Sequence, residues 1–490
     1  MTPLATKQHI EQALRAFAAG DLKHNALALF ETLGYTSEKQ LDLDSNTAEG
    51  FTDAFDLHHT LSAERALLAQ WQTVEVLFQI TADEIVQSPQ ISMFTAQRVD
   101  NRIIESYLFL AIELRPGHYT RTDLAYITRE VNKHFPMPVL ILFKQGPHLT
   151  FSIINRRLHK RDNSKDVLEK VTLIKDIHTA RPHRAHIEIL FDLSLTELHR
   201  VHNFSNFVEL HRAWQTTLDS SELNKRFFKE IADWYFWAVE RVTFPGGAGN
   251  DADVRNATSL IRLITRLIFV WFLKEKGLVP DDLFSRRKLA DLLVFDDPNG
   301  STYYKAILQN LFFATLNQEM NTPTRPDNRK FRHTSQSGGR DPHYMIHNVY
   351  RYERYFKAPA AALALFSTIP FLNGGLFECL DKEDPAPPQP LLRIDGFSDR
   401  ADNPLTVPDA LFFDDEREVD LNRIYGTSGK RYKVRGLIEI LSSYKFTITE
   451  NTPIEEEIAL DPELLGRVFE NLLAAYNPET ETTARKQTGS

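Results

Sequence analysis

Apolar positions recur with two different periods along this 490-residue chain, and the change of period divides it. From Ile10 to Leu33 the spacing of Leu14, Phe17, Leu22, Leu27 and Leu29 predicts helix. Between residues 74 and 193 short runs rich in Ile, Val, Leu and Phe follow one another. Val74–Thr81, Ile104–Leu114, Val139–Phe143, Leu149–Asn155, Val171–Ile177 and Ile187–Leu193 are all predicted strands. Lys144-Gln145-Gly146-Pro147-His148 separates two of them as a hairpin turn. Leu124, Ile127 and Val131 share one side of a helix over Thr120–His134, with Thr120 or Thr122 as its cap.

After Ser194 the strand pattern fades. Leu195–Leu218, Glu222–Val242, Ala257–Lys276 and Ser301–Leu316 fit helical periods. Phe227, Ile231, Trp234, Tyr235, Ala238 and Val242 fall on one face, with Phe236 and Trp237 elsewhere around the same helix. Such an all-round apolar helix belongs inside a bundle. Asn317–Pro342 and the proline-rich Lys382–Pro390 are expected to be exposed loops. Asp461 and Pro462 open a last helix, as N-cap and first helical residue.

The expected architecture is an α+β (or α/β) nuclease-like domain over 1–194, a helical domain over 195–320 and a helical and loop connector over 321–476. A linker, 477–490, follows, and Lys486-Gln487-Thr488-Gly489-Ser490 reads as the entry to a further domain.

A net charge of −9 argues against a surface devoted to DNA, because phosphate neutralisation dominates nucleic-acid affinity. Any DNA contact is therefore local. Arg156, Arg157, Lys160 and Arg161 form the densest basic cluster, directly after a strand, and are the candidate phosphate contacts; Asp162, Asp166 and Glu169 could instead balance them as a solvated loop. Arg255, Arg262 and Arg266 share a helix side, where interior salt bridges compete with DNA contact. One cysteine, Cys379, excludes an internal disulfide framework and a multi-cysteine zinc site. With no signal-peptide pattern, and with the apolar run Leu267–Leu273 too short to span a bilayer, a cytoplasmic location is expected.

Catalytic motifs are sparse. The glycine-rich and Asn/Asp-Pro-Pro-aromatic motifs of amino-methyltransferases are absent; Asn403-Pro404-Leu405 and Asn477-Pro478-Glu479 lack the second proline and the aromatic. Gly426-Thr427-Ser428-Gly429-Lys430 has too few residues between its glycines for a phosphate loop and reads as a turn. His343 and His347 lack the glutamate of a zinc-protease helix. Magnesium-dependent nucleases of the Asp…Glu-x-Lys type place two carboxylates and a lysine together. Asp100, Glu113 and Arg115 come nearest to that pattern, with Asp100 and Glu113 as metal ligands and Glu105 or Asp123 as substitutes. Arginine is a poor replacement for the lysine, and a Glu113–Arg121 pair at a strand end explains the same residues.

Several longer phrases carry a resemblance. They are Asn155-Arg156-Arg157 through Lys165–Ile177, Arg255–Arg262, Phe269–Lys276, Leu372-Asn373-Gly374-Gly375-Leu376-Phe377-Glu378 and Leu460–Leu473. Together they resemble the N-terminal region of type IIG-like fused restriction–modification enzymes, which combine an endonuclease with an adenine-specific DNA methyltransferase. The resemblance implies double-stranded DNA as partner and S-adenosylmethionine as methyl donor in the complete enzyme. It implies magnesium for any cleavage, and places Thr488, Gly489 and Ser490 beside the methyl donor. The methyltransferase and target-recognition parts are expected in a downstream domain or subunit, so this chain alone is not expected to methylate. Two other functions fit the same residues: a non-catalytic scaffold for a separate methyltransferase or specificity subunit, and a stand-alone magnesium-dependent defence nuclease.

Overall fold

A computed structural model describes residues 2–85, 106–159, 162–248, 251–295, 297, 300–331, 346–372, 374–382, 393–447, 452 and 454–460. Contacts divide the chain into two compact units. The first comprises 1–225 with 443–445 and 449–460; the second comprises 226–442 with 446–448 and 461–490.

The first unit begins with α1 (Pro3–Ala16) and α2 (Leu22–Thr32), so the predicted single helix is two. Gly20 sits at φ 89°, where a side chain is strained, and Asp21 caps the second helix by accepting from His24 N. Next come α3 (Ala48–Ala54), strand β1 (Trp71–Thr81), the single turn α4 (Ala82–Ile85) and β2 (Ser106–Leu114). Helix α5 (Arg121–Asn132) then leads to β3 (Val139–Gln145), β4 (His148–His159) and β5 (Asp162–His178). Helices α6 (Arg184–Asp192), α7 (Leu195–His202) and α8 (Phe207–Thr217) follow. Two strands of the second unit, β6 (Arg417–Val419) and β7 (Tyr432–Val434), precede β8 (Glu455–Glu457), which returns to the first.

The six-stranded sheet runs β1-β2-β3-β4-β5-β8. Strands β2 and β3 are parallel, joined across α5, and β5 and β8 are parallel; the remaining neighbours are antiparallel. A mixed sheet with helices packed on it bears out the α+β expectation. One core gathers Leu124, Ile127 and Val131 of α5 against Leu110, Ile112, Val139, Ile141 and Leu173 of the sheet. Helix α5 starts with a complete capping box: Thr120 Oγ1 accepts from Asp123 N, and Asp123 Oδ2 accepts from Thr120 N.

One strand expectation is overturned. Ile187–Leu193 is not extended; it forms most of α6, capped by the His183 side chain accepting from Ala185 N. His186, Ile189, Leu190 and Leu193 repeat at three to four residues and are buried, whereas Glu188 between them pairs with Lys7. Asn203, at φ 47°, likewise splits the predicted Leu195–Leu218 helix into α7 and α8.

The second unit contains most of α9 (Ser220–Val239), then α10 (Ala252–Glu275), α11 (Arg286–Leu292) and α12 (Pro359–Ser367). Tyr303–Gln309 and Phe312–Leu316 are helical with wide, π-type turns. All six apolar residues predicted on that face are buried, five of them within α9 and Val242 just past its end, and so is Trp237. Helix α10 is long and apolar enough to cross a membrane by length and composition, but most of its apolar stretch is buried in the unit, as in a core helix.

Two arginines organise this interior. Arg266 on α10 ion-pairs with Asp395 and donates to the carbonyls of Leu376 and Glu378. It thereby fixes the Gly374–Glu378 segment. Arg329 donates to the carbonyls of Thr315, Gln318, Phe366 and Ile369, the C-terminal ends of two helices, where cations are favoured. Arg329 and Phe331 are buried, so among the described residues the expected exposed loop holds only around 319–327; residues 332–342 of that expectation lie outside them.

Candidate nucleic-acid interface

Glu113 occupies the end of β2, one residue before the strand stops. Its register partner on parallel β3 is Lys144, whose Nζ donates to Glu113 Oε1 at 2.7 Å. The cation beside Glu113 is therefore neither Arg115 nor Arg121. Arg115 turns away, donating through Nε to Ala69 O at 3.2 Å. Arg121 lies 3.7 Å from Glu457 on β8. Asp123 is committed to the α5 cap. Asp100 and Glu105 lie outside the described residues.

Among the described residues, no group of three His, Cys, Asp or Glu side chains is placed to hold a metal ion. Among the described residues Glu113 thus brings one carboxylate and one lysine neighbour, its expected co-ligand Asp100 lies outside them, and no cleavage step is derived through it. Lys144 could have been suspected only from its place at the end of the next predicted strand.

Strands β4 and β5 make the most distinctive feature of this unit. Close to the sheet, β4 pairs on one side with β3 from His148 to Ser152 and on the other with β5. Farther along, β4 and β5 continue as a two-stranded ribbon: Arg156 pairs with Leu168, Arg157 with Val167, Leu158 with Asp166 and His159 with Asp162. No third strand accompanies that stretch among the described residues. Arg156 and Arg157 thus lie on the ribbon backbone, and Lys160 and Arg161, outside the described residues, lie in sequence between its two strands. The ribbon's base is anchored where Lys170 pairs with Glu456 and Thr172 Oγ1 donates to Glu456 Oε1 at 3.1 Å. Thr122 Oγ1 donates to Glu455 Oε1 at 3.0 Å beside it. Burial raises the Glu457 carboxyl above its usual range, against the pull of Lys445 and Arg121.

A small cavity of about 30 Å³ lies between Tyr35, Ile80, Tyr107, Phe109, Leu210 and Trp214. Its polar edges are already engaged: Tyr35 donates to Leu193 O and accepts from Trp214 Nε1, and the Tyr107 hydroxyl bonds His211 Nδ1. It has room for a water or two, not for a base.

Other expectations separate in the second unit. Arg266 takes the interior salt bridge and Arg255 donates to Phe244 O, so two of the three stripe arginines serve the interior. His347 is half-buried, its pKa lowered by burial, and His343 lies outside the described residues. Thr488, Gly489 and Ser490 also lie outside them. Gly426-Thr427-Ser428-Gly429-Lys430 is a tight turn between β6 and β7, with both glycines at positive φ.

Comparison with known proteins adds one relative. The "Putative type II restriction enzyme and methyltransferase RM.MjaORFECS2P" of Methanocaldococcus jannaschii is 28% identical over 228 residues. The similarity links the chain to restriction–modification enzymes. The aligned part covers 46% of this chain and 13% of that protein, so the chain matches a small share of the relative's length. The kinship stops at that level and includes neither a type IIG architecture nor adenine specificity. No family model matches the chain. No solved structure matches it either.

Proposed function

We propose that this chain is the DNA-engaging N-terminal region of a restriction–modification protein of the type IIG-like, adenine-specific kind. Its methyl-transfer chemistry would reside in a further domain or subunit that uses S-adenosylmethionine. The kinship with a restriction enzyme and methyltransferase, over a small part of that protein's length, supports this reading. So does the lack of methyltransferase motifs in the chain itself.

One observation carries the DNA-binding role: the β4–β5 ribbon, whose residues 156–170 include six Lys/Arg against three Asp/Glu in a chain of net charge −9. A two-stranded ribbon fits the major groove of B-form DNA, and arginines along it neutralise phosphates. Lys170 and Thr172 tie the ribbon's base to Glu456, which limits its swing relative to the sheet.

The test is fluorescence anisotropy of a labelled 30-base-pair duplex with the purified chain across a salt series. Binding should weaken with salt at a slope of about −0.9 per phosphate neutralised. Changing Arg156, Arg157, Lys160 and Arg161 together to Gln should flatten that slope by roughly 3.6 if each contacts one phosphate. A wild-type chain with no affinity for the duplex even at low salt would refute the proposal.

A further inference from the structure

The β6–β7 hairpin of the second unit carries a second basic feature. The two strands pair with Arg417 opposite Val434, Glu418 opposite Lys433 and Val419 opposite Tyr432. Between them Asn422–Tyr425 forms a single helical turn closed by Gly426 at φ 64°, and Gly429 repeats the left-handed conformation at φ 68°. Residues 426–431 and Arg423 are exposed.

This tip is braced. Asn422 Oδ1 accepts from Thr427 Oγ1 at 2.7 Å and from Lys430 N at 3.1 Å. Its Nδ2 donates to Lys430 O at 2.8 Å and to Asp420 Oδ1. Thr427 Oγ1 also bonds the Tyr432 hydroxyl at 2.8 Å. Tyr432 stacks on Tyr425 with ring centroids 5.0 Å apart, and Lys430 lies over the Tyr432 ring.

Charges in this region sort into two groups. Cations around the base of the hairpin each have a carboxylate: Lys433 with Glu416, Arg417 with Asp414, Arg435 with Glu230, Lys229 with Asp233. At the tip, Arg423, Lys430 and Arg431 make no salt bridge among the described residues. Asp420, the nearest acid along the chain, is hydrogen-bonded by the backbone and side chain of Asn422, which with a weaker pull from Arg431 hold its carboxyl below the usual range. The N–H groups of Ser428 and Gly429 have no acceptor among the described residues. Three exposed cations that make no salt bridge and two free amides on a stiff turn suit an extended polyanion, with Lys430 held over the Tyr432 ring. The glycine spacing is not that of a nucleotide-binding loop, so phosphates of a polymer fit better than a free nucleotide.

From this arrangement we infer that the Gly426–Arg431 tip, with Arg423, is a second contact with the phosphate backbone of duplex DNA. The inference rests on the chain binding DNA, and its residues are independent of the β4–β5 ribbon. The contact is sequence-independent, since phosphates carry no base information. Holding the tip rigid before binding lowers the ordering cost of each contact.

The experiment compares three forms of the full chain on the same 30-base-pair duplex: wild type, Lys430→Gln/Arg431→Gln, and Lys430→Arg/Arg431→Lys. The glutamine pair should weaken binding on the order of tenfold and make the salt slope shallower by about 1.8, two contacts' worth. The charge-conserving pair should keep the wild-type slope. Circular dichroism melts should coincide for all three, because the side chains are exposed. The Arg156, Arg157, Lys160 and Arg161 glutamine variant runs beside them. If it loses binding while the tip glutamine pair keeps wild-type affinity and slope, the tip inference is overturned and the ribbon stands. If wild type binds no duplex, the underlying DNA reading fails and the inference with it.

Discussion

Arg266 Nη1 lies 2.9 Å from Asp395 Oδ1, with neither side chain more than 4% exposed. The pair is satisfied on all sides: Asp395 also accepts from Leu380 N, and Arg266 donates to two carbonyls. Asp381 closes the same junction by accepting from the N–H groups of residues 394 to 397. Removing one member strands a buried charge. Asp395→Ala is therefore expected to cost about 3–5 kcal/mol. Urea unfolding followed by tryptophan fluorescence measures it; a loss under about 1 kcal/mol would mean the pair is solvated.

Among the described residues Arg329 ion-pairs with no carboxylate and is held by carbonyls instead. Lysine cannot reproduce that fork, because its three donors radiate from one atom. Arg329→Lys should destabilise the protein by roughly 2–3 kcal/mol, as carbonyls at two helix ends lose their donor. A thermal melt within 1 °C of wild type would disprove the assignment.

Asp409 accepts from Thr302 N and Tyr303 N at the start of a buried helical segment, and burial raises its pKa from 3.8 to about 7. Folded, it holds a proton over a range where the unfolded chain has released it. Stability linked to this group is thus greatest below pH 3.8 and declines as pH rises toward 7. Asp409→Asn keeps an acceptor and removes the charge. Between pH 4 and 8 its urea midpoint should lose less with rising pH than that of wild type. Parallel curves would refute the assignment.

Gly436 packs with its Cα against the chain at Phe412: an added Cβ would sit 2.3 Å from Phe412 O. That neighbour is backbone and cannot swing aside. Gly436→Ala is expected to cost about 1–3 kcal/mol and to force a local shift. Equal urea midpoints for the two proteins would show that the close approach is relaxed in solution.

Much of the sheet was legible because its strands are continuous apolar runs with turns of the right chemistry between them. Val139–Phe143 and Leu149–Asn155 flank a turn at Gly146, whose positive φ suits glycine. Leu124, Ile127 and Val131 on one side, with Thr120 or Thr122 as cap, announced α5, and Thr120 is the residue that caps it. Ile187–Leu193 misled because a short apolar run has no period of its own, and the His183 cap decided for helix. Strand β8 was illegible for a different reason. Glu455, Glu456 and Glu457 carry no apolar strand signal; they are buried because Thr122, Lys170, Thr172 and Arg121 supply partners from elements distant in the chain. Lys144 beside Glu113 depends on the register of two parallel strands, which no local pattern encodes.

Strand β8 also sets an order of events during synthesis. The other five strands have been made by residue 178, yet the edge of β5 is completed only by residues 455–457. While the ribosome translates the intervening residues, that edge presents open hydrogen-bonding groups to any neighbouring nascent chain. The first unit is consequently not sealed until its own segment 449–460 has been made, and a message stalled before then would release it with its border unguarded.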